Sequence, residues 1–101
     1  MTIDCNEAKR LKVLQDREID LRGMKWVFDG RQRFTYQSVR NGEDRNVTIA
    51  ELDGKLHAVI WMWRDEVIWV ITARRAWKKE ERKYLDLAAR QGGRDGRQDK
   101  L

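Results

Sequence analysis

A chain of 101 residues has the length of one compact domain and cannot hold a cofactor domain beside a substrate domain. Charged residues make up 39% and apolar residues 41%, with five Trp; that is enough bulk for a small core and is not the composition of a disordered chain. The net charge of +5 arises after residue 66, where Arg74, Arg75, Lys78, Lys79, Arg82, Lys83 and Arg90 outnumber Glu80, Glu81 and Asp86, a distribution that suits a polyanion partner or a solvated helix face.

Other classes fall away on residue counts. The longest apolar run, Ala58 to Trp63, is far short of the ~20 residues of a membrane span. The first residues lack the basic and apolar regions of a signal peptide, so a cytoplasmic protein without membrane contact is expected. One His and one Cys exclude a zinc site of the usual Cys/His kind and an internal disulfide; no metal and no cofactor are expected.

In chain order, Asp4 and Glu7 read as a capping box, and Ala8, Leu11 and Leu14 at spacing three mark a first helix over about residues 5–16. Asp20 is a second N-cap candidate. Leu21, Met24, Val27 and Phe28 follow it at helical spacing, until Asp29 and Gly30 stop a second short helix. From Arg33 the period changes to two. Phe34 and Tyr36 lie in a strand closed by Asn41–Gly42, and Val47 and Ile49 lie in the next; Asp53–Gly54 then turns into the apolar stretch Leu56 to Trp63. Arg64, Asp65 and Glu66 make a third turn before a buried strand, Val67 to Ile71, that gives out near Arg74. Trp77 to about Gln91 is charged and helix-favouring, with Tyr84, Leu85 and Ala88 as its apolar side. The expected architecture is α+β: two N-terminal helices, an antiparallel sheet of about four strands and a C-terminal helix, forming one domain over residues 1–91 with a flexible tail over 92–101.

The stretch Ile71 to Tyr84 carries the chemistry. A guanidinium fork matches a phosphate bidentately, so Arg74 and Arg75 suit a phosphodiester whose charge grows during an in-line displacement. RNA brings its own nucleophile, the 2′-hydroxyl. A protein need only align it, withdraw its proton, stabilise the equatorial oxygens and protonate the leaving 5′-oxygen, and no metal is obligatory. Glu80 and Tyr84, four apart on one helix face, could act as proton acceptor and as donor or phosphate ligand. Their ordinary alternatives are an exposed helix ion pair for Glu80 and a packed ring with a polar tip for Tyr84. Lys78, Lys79, Arg82 and Lys83 supply cations for an RNA backbone. Arg64 sits at the other end of a strand from the Arg pair, so the three need not converge. Trp61 and Trp63 share a strand face and, with Trp69, could stack on unpaired bases, fill the core or anchor a partner. His57 lies in a strand whose inward set is ambiguous.

Four blocks in order resemble the BrnT toxins. They are Asn6, Glu7, Ala8 and Lys9 with Leu14 and Ile19; Val27, Phe28 and Asp29; Gly42 and Glu43 with Arg45; and Ile71, Thr72, Ala73, Arg74, Arg75 and Ala76 with Glu80 and Tyr84. The family patterns are of the kind W-D-E-A-K, V-F-D, Y-G-E-x-R and S-A-R-R-A-x-x-x-E-x-x-x-Y. The resemblance spans about residues 5–87 and implies a RelE-like fold and a metal-independent ribonuclease toxin. It also implies a cognate ribbon-helix-helix antitoxin, dimers within the toxin–antitoxin assembly, and repression of the operon by that assembly. Carried over by position, Arg64 falls in the family's turn, Arg74 and Arg75 in its Arg pair, and Glu80 and Tyr84 on the following helix. This chain departs from the pattern at Cys5 and Asn6, at Asp16, Arg17 and Glu18, at Asn41, at Met62 and at Trp69, where the family often has Arg. Two other readings stay open: a catalytically degraded relative that binds an antitoxin and acts in autorepression, and a basic RNA-binding module without a repressor partner.

Overall fold

In the computed structural model the backbone is described for residues 2–100 and the side chains for residues 2–90. The expected tail, 92–101, lies outside the described side chains. The elements run β1 (Thr2–Cys5), α1 (Glu7–Arg17), a 3-10 helix (Leu21–Phe28), β2 (Arg33–Arg40), β3 (Glu43–Leu52), β4 (Lys55–Arg64), β5 (Val67–Arg75) and α2 (Lys78–Lys100). The strands form one sheet in the order β1-β5-β4-β3-β2. The fold is therefore α+β, as expected, with two corrections.

The first concerns the N-terminus. Thr2–Cys5 is a strand that pairs in parallel with Val67–Val70 of β5, so the sheet has five strands and is mixed. Asn6, rather than Asp4, caps α1, its side chain accepting from the Lys9 N–H at 2.9 Å. The second concerns Leu21–Phe28, which is a 3-10 helix. Its buried residues Leu21, Met24 and Val27 recur every three positions, matching three residues per turn. Asp20 caps it as expected, accepting from Arg22 N–H at 3.0 Å, and also ties it to α1 through Arg10 at 2.8 Å.

The meander follows its turn chemistry. Asn41 and Gly42, then Asp53 and Gly54, all have positive φ, between 53° and 78°, as two-residue hairpin turns of this twist require. These turns fix the register, pairing Tyr36 with Val47, Ser38 with Arg45, and Ile49 with Ala58; β4 and β5 in turn pair Ala58 with Arg74.

Each sheet face has its own cluster. Val13, Ile19, Leu21, Met24 and Val27 of the N-terminal helices pack on Ala50, Val59, Trp61, Ile68, Val70 and Ala73. On the other face, Tyr84 and Ala76, with Phe34 and Ile60, pack against Val47, Ile49 and Ala58; among the described residues no helix of the N-terminal pair covers this face. Trp61 bridges polar and apolar parts of the first face. Its ring is edge-on to Phe28 and Trp63, and its indole N–H donates to Thr48 Oγ1 at 2.8 Å, with Thr48 fully buried. Replacing Thr48 by Val keeps the shape and strands that N–H. The expected loss is about 1–3 kcal/mol, read as a lower urea midpoint with an unchanged slope.

Candidate active site

Strand alternation sorts the sequence-predicted residues. Ala73 lies on the helix-covered face, so its neighbour Arg74 projects to the half-covered face and Arg75 returns to Ala73's side. The Arg pair is thus divided between the two faces of the sheet. Arg64 is on the face of Arg74, but the register pairs it with Val67 while Arg74 pairs with Ala58. Six residues of β4 separate the two, roughly 20 Å at strand rise. The Arg64 guanidinium stacks on Trp69, 4.1 Å from the ring centroid.

Arg74 and Glu80 do meet. Arg74 donates from Nη1 and Nη2 to the two carboxylate oxygens at 2.7 and 2.9 Å. The Tyr36 hydroxyl and the Trp77 backbone N–H, the latter at 2.8 Å, also donate to Glu80. The link from Trp77 follows from helix capping: Glu80 stands three residues into the start of α2 and turns back onto its leading N–H. With only 5% of its side chain exposed, burial alone would raise the Glu80 pKa. Arg74, then Tyr36 and the Trp77 N–H, outweigh that effect, and the carboxyl sits below its ordinary range. It is ionised and saturated with donors, a poor proton acceptor in this state. Burial, followed by the Glu80 charge, raises the Tyr36 pKa, so that hydroxyl keeps its proton.

Next to this cluster lies an open cleft of about 310 Å³ lined by Arg17, Arg40, Arg45 and Arg74 together with Tyr36, Ser38, Val47, Ile60, Thr72 and Trp77. Its described lining contains no carboxylate. Each cation arrives by a distinct route. β2 alternation puts Tyr36, Ser38 and Arg40 on one face, and the Asn41–Gly42 turn sets Arg45 opposite Ser38. Arg17, the last residue of α1, reaches β5 beyond the point where β1 stops pairing and donates to the Ala73 carbonyl at 2.8 Å. The Arg45 Nε is buried with no hydrogen-bond partner among the described residues, a donor left unspent.

The remaining predicted residues lie elsewhere. Tyr84 packs on the second cluster and lines a separate recess with Asp29, Arg31, Gln32 and Glu51. Burial raises its pKa. Lys79 and Lys83 border a neighbouring cleft with Phe34, Tyr36, Trp77 and Glu80, and Arg82 joins them on a further recess. Lys78 is exposed at the start of α2. His57 is buried with Nδ1 2.9 Å from the Lys55 carbonyl, and its desolvation lowers its pKa. Trp69, where the resembled pattern often has Arg, and Met62 are not among the cleft's lining residues.

A mixed sheet that gathers four guanidinium groups in one cleft on its half-covered face defines an α+β protein equipped for an anionic ligand. A family model described as "Ribonuclease toxin, BrnT, of type II toxin-antitoxin system" matches residues 6–80, and the chain belongs to that family. The matched span includes Arg40, Arg45, Arg64, Arg74, Arg75 and Glu80 and stops short of Tyr84. Membership makes RNA the substrate and an antitoxin the partner. No curated protein matches the chain in sequence. Among the described residues no helix is long and apolar enough to cross a membrane, and none of them form a group of three or more acidic, His or Cys side chains able to hold a metal ion.

Proposed function

We propose that the chain cleaves RNA with the strand's own 2′-hydroxyl as nucleophile, and that the arginine-lined cleft holds the scissile phosphodiester. The observation that carries this reading is the convergence of Arg17, Arg40, Arg45 and Arg74 on one cleft whose described lining has no carboxylate. Guanidinium groups preorganised around a phosphate stabilise the charge that grows on its equatorial oxygens. The 2′-oxygen bonds to phosphorus as the bond to the 5′-oxygen breaks, giving a 2′,3′-cyclic phosphate and a 5′-hydroxyl. The proton lost from the 2′-oxygen is balanced by one delivered to the leaving oxygen. Tyr36, protonated and at the cleft wall, is placed to supply the latter. Glu80 acts as a positioning residue for Arg74 and Tyr36. When a phosphate shares the Arg74 guanidinium, Glu80 loses part of its strongest partner and becomes a better proton acceptor. Lys78, Lys79, Arg82 and Lys83 extend the cationic path along α2, with Arg64 and Arg75 as outlying backbone contacts, and Tyr84 as the ring that seats the helix. On this reading the chain is a RelE-like toxin that acts in the cytoplasm without metal or cofactor and is held in check by a ribbon-helix-helix antitoxin in a dimeric assembly.

One observation favours a second reading, in which the chain binds its antitoxin and serves autorepression without cutting. It is the bidentate closure of Arg74 on buried Glu80. Expression of the chain without its antitoxin separates the two readings. The first expects growth arrest with fragmented RNA carrying cyclic phosphate ends, in chelator as well as without it. Normal growth with intact RNA would leave the second.

A further inference from the structure

We infer that the apolar cleft adjoining the arginine cleft is a base subsite, in which an unpaired RNA base stacks on Trp77 while Lys79 and Lys83 take the adjoining backbone phosphate. The inference rests on the reading of the arginine cleft as the phosphate site and adds to it a second subsite along the same strand.

Trp77 is 60% exposed, yet its backbone is tied at both polar groups and one cation covers its ring. Its backbone N–H donates to Glu80 at 2.8 Å, its carbonyl accepts from the Glu81 N–H at 2.9 Å, and the Arg74 guanidinium covers its ring 3.6 Å from the centroid. A large aromatic surface fixed by capping and by a cation is a preorganised platform that loses little freedom when a ligand settles on it. The cleft it faces has a volume of about 410 Å³ and is walled by Phe34, Tyr36 and Trp77 with Lys79 and Lys83, and by Glu80, whose carboxylate is engaged by Arg74, Tyr36 and the Trp77 N–H; its volume is within the size range of ordinary ligand sites. Phe34 and Tyr36 are themselves stacked, with centroids 6.3 Å apart.

Tyr36 and Trp77 line both clefts, so the two are neighbours divided by a shared aromatic ridge. An apolar, aromatic slot with ammonium groups beside it and a guanidinium-lined cleft on its far side alternates base-binding and phosphate-binding chemistry, which is the repeat of a single strand. Charge complementarity therefore selects an unpaired nucleotide as occupant. Bases inside an A-form helix keep their faces covered, so the site would read unstacked positions.

The test uses the full chain and two non-cleavable probes, a fluorescent 2′-O-methyl hexanucleotide and its abasic counterpart of the same charge. Wild type should bind the base-bearing strand more tightly. Trp77→Ala should lose roughly 5- to 100-fold on that strand and nothing on the abasic one, and Trp77→Phe should restore most of the loss. Lys79→Ala with Lys83→Ala should reduce the log–log salt slope by about 0.7, the value of one single-strand phosphate contact. Equal binding of both probes by wild type, with normal salt dependence, would overturn the base subsite and leave the arginine cleft standing. Failure of wild type to bind either probe would overturn both. An equal loss on both probes in Trp77→Ala would reduce Trp77 to a support for Arg74, and a loss confined to antitoxin binding would make the slot a protein contact; either result overturns the proposal.

Discussion

Glu80→Ala should cost the fold about 3–5 kcal/mol, because removing one partner of a buried ion pair leaves the other uncompensated. Here the change strands the Arg74 guanidinium together with the Tyr36 hydroxyl and the Trp77 N–H, all of which end on that carboxylate. Small domains hold only about 5–15 kcal/mol in total, so the loss is a large share of the whole, and denaturant titration would measure it as a much lower midpoint. The same network sets an acid limit. The folded pKa of Glu80 lies below its ordinary value of 4.5. Its contribution is therefore complete above that value and is lost as the pH falls through the lower folded one. Glu80→Gln, which keeps the shape, should be less destabilising than the Ala variant and should flatten this acid limb. An acid limb identical to wild type would show that the carboxylate is not held as described.

Removing Arg40 and Arg45 together should lower RNA cleavage by 100-fold or more, since a single preorganised donor to developing charge is worth about 10²–10³. The melting temperature should fall only modestly. Arg40 is exposed, and among the described residues Arg45 pairs with the exposed Glu43 at 3.6 Å, a contact of a kind that contributes at most about 1 kcal/mol; the loss that remains is the packing of the largely buried Arg45 stem. This double variant separates catalysis from stability more cleanly than changes at Arg74, whose loss would also leave Glu80 buried and unpaired. Cleavage retained at the wild-type rate would remove the two residues from the site.

The sequence made legible those parts of the molecule where the determining chemistry is local. Asn41–Gly42 and Asp53–Gly54 announce their hairpins because few residues accept positive φ at both positions, and Asp20 announces a helix start. β1 escapes notice because four residues give too little alternation to register, and its partner, β5, lies more than sixty positions away. The Leu21–Met24–Val27 spacing was open to a 3-10 reading, but a three-residue period over one short segment is also the near side of an α-helix. In the site, Arg74 and Glu80 were readable as a strand–helix junction. Tyr36, Arg40 and Arg45 were not, since they converge only through strand register. The signal was present nonetheless: alternation along Phe34, Tyr36, Ser38 and Arg40, combined with the two-residue turn, places Arg45 beside that row. The same alternation separates Arg74 from Arg75. Glu80 and Tyr84 share a helix face, yet four residues of axial rise set Glu80 against Tyr36 and Tyr84 against Ile49 and Ala58.

The most direct measurement is cleavage of a defined RNA strand by the purified chain, scored by product ends, beside the same strand made with 2′-O-methyl groups. Cyclic phosphate and 5′-hydroxyl ends from the first, none from the second, and loss of both products in the Arg40→Ala, Arg45→Ala variant are the expected results. Cutting of the methylated strand, or full activity without those two guanidinium groups, would contradict the account.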